Sequence, residues 1–118
     1  MATRVLIVDD SEQFRDVAAE LLAERGFEVL GAAADETAAL AAVAAACPDG
    51  ILLDVNLAGQ DGFAVAASLA DACPGVRIVL TSANFSWVPQ ALLRECTAIA
   101  FVPKEELAGA NLARLFYA

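Results

Sequence analysis

Three short apolar runs each deliver charge at their C-terminal end, and this repetition constrains the fold of the chain more than any other feature. Val5-Leu6-Ile7-Val8 leads into Asp9-Asp10, Ile51-Leu52-Leu53 into Asp54, and Ile99-Ala100-Phe101-Val102 through Pro103 to Lys104. Short aliphatic runs of this kind read as strands buried on both faces, as in a parallel sheet covered by helices. In an open parallel sheet the C-terminal strand ends share one edge, and ligands bind there. Three acids and a lysine on that edge form a candidate site for magnesium and phosphate. A single Asp after a strand is ordinary, because it caps the next helix or opens a turn. Two adjacent acids are harder to explain that way. Like charges side by side repel unless a cation compensates them, and a cap needs only one.

The intervening segments carry helix signals. Ser11 caps a helix to about Arg25, with Phe14, Val17, Ala18, Leu21 and Leu22 on one face and Gly26 as its stop. A second strand is expected over 27–31. Asp35 then caps a helix from Glu36 to about Cys47, ended by Pro48. After the third strand, 50–53, a loop over 55–61 precedes a helix from Gly62 to about Cys73. The fourth strand is expected over 76–82, a fourth helix from near Trp87 to about Cys96, and the fifth strand over 99–102. A last helix should span 105–117, weakened by Gly109. Five strand–helix units with short connections predict right-handed crossovers and a doubly wound α/β sheet. No linker or repeat interrupts 1–118, so the expectation is one domain with no output domain in the chain.

Composition removes several function classes. A net charge of −9 and a pI near 4.2 argue against direct nucleic-acid binding, which needs clustered Lys and Arg. The absence of histidine excludes His-dependent catalysis and most transition-metal sites. Cys47, Cys73 and Cys96 show neither zinc spacing nor a CxxC pair, and are expected to be reduced residues of the core or of helix ends. Charges or prolines break every apolar stretch early, so no membrane span is expected. Met1-Ala2-Thr3-Arg4 enters a strand without an apolar leader, so the expected location is cytoplasmic.

Taken in order, Val8-Asp9-Asp10, Leu53-Asp54-Val55-Asn56-Leu57, Asp61-Gly62, Leu80-Thr81-Ser82-Ala83 and Phe101-Val102-Pro103-Lys104 give a resemblance over all 118 residues. The chain resembles the receiver (CheY-like) domain of bacterial two-component response regulators. The resemblance implies a flavodoxin-like, doubly wound, five-stranded parallel sheet of order 2-1-3-4-5 flanked by five helices. It makes Asp54 the phosphoacceptor and Lys104 a point charge for the phosphoryl oxygens. It places Mg2+ on the carboxylates of Asp10 and Asp54 and the backbone carbonyl of Asn56, with Asp9 holding a metal-bound water. One Ser or Thr at the end of the fourth strand should bond the phosphoryl group. Thr81 and Ser82 are adjacent, and strand neighbours face opposite sides. Ser82 stands 22 residues before Lys104, the family spacing, and alternation through Ile78 and Leu80 puts it in phase. Phe101 matches the aromatic that turns inward with Ser82 on activation; plain core packing is its alternative reading.

The implied function is that of a phosphorylatable receiver. It takes a phosphoryl group from a histidine kinase or phosphotransfer protein in a Mg2+-dependent step and signals by conformation to a protein partner. It is an enzyme only toward its own phosphorylation and dephosphorylation, with no nucleic-acid or membrane contact. A homodimer is allowed through the face of the fourth helix, fifth strand and last helix, where Trp87, Leu112 and Leu115 are expected at the surface. The alternative is a receiver-fold interaction module that does not cycle phosphate, and the intact set Asp9, Asp10, Asp54 and Lys104 speaks against it. A flavodoxin-like flavoprotein is disfavoured, because Asp9-Asp10 would repel a flavin phosphate. Three departures from the family pattern bear on switching and partner choice. Glu105 follows Lys104 where many members have a cis proline, Ala58 replaces a usual proline, and Cys96-Thr97-Ala98 replaces a usual Gly-Ala.

Overall fold

The computed structural model describes residues 3–57, 59–82 and 100–117. Its strands are β1 (Arg4–Val8), β2 (Glu28–Ala33), β3 (Gly50–Asp54), β4 (Arg77–Ser82) and β5 (Ala100–Pro103). They form one parallel sheet in the order β2-β1-β3-β4-β5, the topology that the family resemblance implies. Helices α1 (Glu12–Glu24), α2 (Glu36–Ala45) and α3 (Gly62–Ala72) connect the first four strands.

Alternation along the strands divides the core in two. Leu6, Val8, Ile51, Leu53, Ile78 and Leu80 pack with Ala39 and Val43 of α2 and Val65, Ala66 and Leu69 of α3. Val5, Ile7, Leu52 and Val79 pack on the other face with Ala18 and Leu22 of α1, Phe27, Leu107, Leu112 and Phe116. Phe27 and Phe116 meet edge to face, with centroids 5.6 Å apart. Every residue of β3 is buried, as expected of a central parallel strand.

The first two helix starts follow the predicted caps: Ser11 Oγ accepts from Phe14 N and Asp35 Oδ1 from Ala38 N. The third start is capped by Asp61, which the sequence placed only in the preceding loop; its Oδ1 accepts from Phe63 N. On α1, however, Val17 is 55% exposed, because the inward stripe runs through Phe14, Ala18 and Leu22 and leaves Val17 on its flank.

Three further expectations are corrected. The last helix is not continuous over 105–117. A 3-10 helix (Lys104–Gly109) is followed by a separate C-terminal helix (Leu112–Tyr117). Asn111 starts the second piece, its Oδ1 accepting from Arg114 N, and the Arg25 guanidinium donates to the Ala108 and Ala110 carbonyls at the break. Leu112 is not a surface residue. At 1% exposure it belongs to the core face of this short helix, and Leu115 is half-buried. Finally, Cys47 and Cys73 are joined by a disulfide rather than reduced. Sequence spacing cannot show this pairing, which arises because α2 and α3 lie side by side with adjacent C-terminal ends. Cys96, Trp87 and the expected fourth helix lie outside the described residues.

Gly62, the first residue of α3, sits so close to the end of β3 that a Cβ would lie 2.3 Å from Val55 Cα and 2.8 Å from the Asp54 carbonyl oxygen. Those neighbours are backbone and cannot swing away. Gly62→Ala is therefore expected to destabilise the chain by about 2 kcal/mol or more, read as a lower urea midpoint at unchanged slope.

Candidate functional site

The parallel register sets the site. Val8 pairs with Leu53, Asp54 with Thr81, and Ser82 with Pro103, so Asp9, Asp54, Ser82 and Lys104 all emerge at one edge. Asp9 is completely buried and Asp54 is 4% exposed, while Asp10 is exposed. One oxygen from each of these carboxylates lies within 4.8 Å of the others.

Backbone amides hold the two buried acids. Asp9 Oδ1 accepts from Ser11 N at 2.8 Å, and Asp54 Oδ1 accepts from Asn56 N at 3.0 Å. Their other oxygens face one ammonium. Lys104 Nζ is 2.7 Å from Asp9 Oδ2 and 3.5 Å from Asp54 Oδ2, with the lysine side chain only 18% exposed. Among the described residues this contact is the sole compensation of Asp9 Oδ2. An oxygen-only set of three carboxylates fits a hard divalent cation better than a transition metal.

Burial is the main reason the Asp54 carboxyl is pushed above its ordinary value. The Asn56 amide opposes the shift, Asp9 adds to it, Lys104 opposes it, and Asp10 adds again.

The adjacent hydroxyls take different roles. Ser82 Oγ accepts a hydrogen bond from Asn56 Nδ2 at 3.0 Å, which places it beside the acid cluster. Thr81 is equally buried, but its Oγ1 has no hydrogen-bond partner among the described residues. Phe101, paired in register with Leu80, is half-buried against the α2–α3 side of the core.

Three contacts escaped the sequence reading. The Phe14 ring lies 4.2 Å beneath Lys104 Nζ, Arg15 Nη1 donates to the Asp9 carbonyl at 2.8 Å, and Gln60 Oε1 accepts from Glu36 N at 3.1 Å. Helical periodicity marks Phe14 as inward facing, but nothing in the sequence says that its neighbour is a lysine 90 residues away rather than an aliphatic core residue.

A family model described as "Response regulator receiver domain" matches residues 5–113. The chain belongs to that family. The receiver is 41% identical over 80 residues to a protein-glutamate methylesterase/protein-glutamine glutaminase 2 of Anaeromyxobacter dehalogenans, covering 67% of this chain and 24% of that protein. It spans about a quarter of the length of the curated relatives it matches. Among solved structures it resembles a response regulator from Burkholderia pseudomallei with a phosphorylated aspartic acid, calcium ion and citrate. There the TM-score is 0.84 at 26% identity, over 96% of this chain and 66% of that one. It also resembles Vibrio cholerae chemotaxis protein CheY4, with TM-score 0.83 and 26% identity over 98% of this chain and 99% of that one.

Two outcomes test this geometry. A carboxyl whose folded pKa is raised adds stability only below its unfolded value and loses it as pH rises through the folded one. Ionised Asp54 therefore costs stability at neutral pH in metal-free buffer. Asp54→Asn should raise the melting temperature there, with the gain shrinking as pH falls through the ordinary carboxylate range; thermal melts across pH would show the opposite slope if Lys104 dominated. For the ring contact, a stability double-mutant cycle of Phe14→Leu with Lys104→Met should return a coupling of about 0.5–1 kcal/mol, and additive effects would deny the cation–π contact.

Proposed function

We propose that this receiver accepts a phosphoryl group on Asp54 and passes the signal on through protein contact. One observation carries the reading: a buried, amide-held carboxylate at the sheet edge, flanked by two further acids and facing the Lys104 ammonium. Phosphoryl transfer asks the protein for positioning and for charge on the developing oxygens more than for covalent chemistry. Asp54 Oδ2 is the proposed nucleophilic atom, because Oδ1 is occupied by the Asn56 amide while Oδ2 faces Lys104 at 3.5 Å. Its attack on phosphorus forms an acyl phosphate as the bond to the donor breaks, and the donor leaves with the electron pair. Lys104, now shared between Asp9 and Asp54, is within reach of the new phosphoryl oxygens. Ser82 gives up or retains its Asn56 bond according to whether it turns toward that group.

Mg2+ is the proposed cation, held by Asp10, Asp54 and the Asn56 carbonyl with Asp9 behind them, and when bound it neutralises charge on the phosphoryl oxygens. Histidine kinases or phosphotransfer proteins are the proposed donors, and the proposed location is the cytoplasm. No described helix is long and apolar enough to cross a membrane. The chain is proposed to act as one non-enzymatic domain; the esterase activity in its relatives' names is not transferred to it. We place output on the side of β5 and the C-terminal helix, with Phe101 as the residue that follows Ser82. A homodimer there would rest on Leu115 and on residues outside those described, since Leu112 is core.

With a small phosphodonor such as phosphoramidate and millimolar Mg2+, intact mass should show one added phosphoryl group. Asp54→Asn should abolish it, Asp10→Asn should lower it at least tenfold, and Thr81→Ala should leave it within about twofold. Phosphoryl mass on the Asp54→Asn protein would refute the assignment.

A further inference from the structure

The edge of the sheet opposite Asp54 carries chemistry of its own. Cys47, just beyond the end of α2, and Cys73, at the end of α3, are bonded with their Cα atoms 5.8 Å apart. That separation lies in the middle of the range a disulfide spans without backbone movement. Cys73 is 2% exposed and Cys47 is exposed. Both border an open pocket of about 430 Å3 together with Pro48, Asp49, Arg77 and Phe116, so a small molecule can approach the pair from the exposed Cys47 side.

The bond closes a ring between residues 26 apart in sequence. Inside the ring lie β3, Asp54, the loop beyond it and α3. At the site end, Gln60 already ties this ring to α2 through Glu36 N. At the far end the disulfide supplies the matching tie between α2 and α3.

We propose that Cys47 and Cys73 are a reversible redox-modification site whose reagent is a small disulfide of the glutathione class. Starting from the reduced pair, the Cys47 thiolate attacks one sulfur of that disulfide. The reagent's S–S bond breaks, and one small thiolate departs with the electron pair and takes up a proton. The Cys73 thiolate then attacks the Cys47 sulfur of the mixed disulfide and expels the second small thiolate, which is also protonated. Two protein thiols are oxidised, one small disulfide is reduced to two thiols, and two protons pass from the protein to them. Access sets the order, since the exposed thiol meets the reagent first and the buried one resolves it. Reduction runs backward through the same exposed sulfur. In a reducing compartment a disulfide persists only transiently, as a toggling site requires. The chemistry itself does not depend on the phosphorylation proposed for Asp54, which stands at the other end of β3.

The test uses the full chain. In a Cys96→Ser background, samples are equilibrated with mixtures of reduced and oxidised glutathione, blocked with an alkylating agent and weighed intact. The two cysteines should pass together between doubly blocked and unblocked states across the series. The oxidised form should melt about 10 °C higher, because a ring of this size restricts the unfolded chain. Cys47→Ser should abolish both effects and leave phosphoryl acceptance from a small donor within twofold. Peptide mapping of the oxidised wild-type chain should give the Cys47–Cys73 linkage, which covers the case of a Cys96→Ser protein that does not fold. Four outcomes overturn the proposal. They are two thiols that stay alkylatable in oxidised glutathione alone, an adduct that stops at one glutathione, a linkage through Cys96, or a bond that survives excess reduced glutathione under native conditions.

Discussion

The Lys104 ammonium between Asp9 and Asp54 is the interaction on which the arrangement of the sheet edge depends. A carboxylate with no solvent exposure is expensive to ionise, and two such groups a few ångströms apart are more so. Three devices keep Asp9 and Asp54 there. Backbone amides of Ser11 and Asn56 each hold one oxygen, and one lysine serves the remaining two. The lysine is itself held from below by the Phe14 ring. The compensation is unequal, since Lys104 lies closer to Asp9 than to Asp54. Asp9 thus has the nearer cation, while burial first of all disfavours the charged form of Asp54. An under-compensated carboxylate is the one that gains most from taking up a new partner.

The scaffold makes this possible by being rigid on both sides. Leu52 and Leu53 point into opposite halves of the core, so β3 can neither slide nor roll without disturbing both. The close approach of Gly62 fixes α3 directly against the backbone that follows Asp54. At the opposite edge, Gly50 leaves the space in which the Phe116 ring lies. The strand that carries Asp54 thus has a glycine packed against each end, one at a helix start and one beside an aromatic ring.

How far the sequence revealed this depends on the range of the interaction. The five strands, to within two residues at their ends, the Ser11 and Asp35 caps and the doubly wound class follow from patterns spanning a few residues and a chirality rule, whereas the 2-1-3-4-5 order came from the family resemblance; all of them appear in the structure. The gathering of Asp9, Asp10, Asp54 and Lys104 was legible for the same reason, since each follows its own strand. What could not be read is contact between elements distant in sequence. Cys47 and Cys73 look unrelated along the chain, and only the side-by-side packing of α2 and α3 joins them. Leu112 carries the same apolar signal whether it faces core or partner, and tertiary packing decided for the core. The break before Leu112 was half legible. Gly109 weakens a helix, but the cap by Asn111 and the Arg25 donors that complete the break come from geometry.

Thr81 and Ser82 show how small a difference in placement separates structure from chemistry. Both hydroxyls are fully buried on the same strand. A buried hydroxyl without a partner costs free energy on the order of 1–3 kcal/mol. Ser82 avoids that cost through the Asn56 amide, whereas Thr81 does not find a partner among the described residues. The Asn56 residue therefore serves the site twice. Its backbone amide steadies Asp54, and its side chain holds Ser82. That bond uses an acceptor lone pair of Ser82 Oγ and not its O–H, so the hydroxyl can still donate to a group on Asp54 while Asn56 holds it in place. The residue two positions beyond Asp54 thus fixes both the carboxylate and the hydroxyl, and it does so without touching Asp54 Oδ2, which faces Lys104.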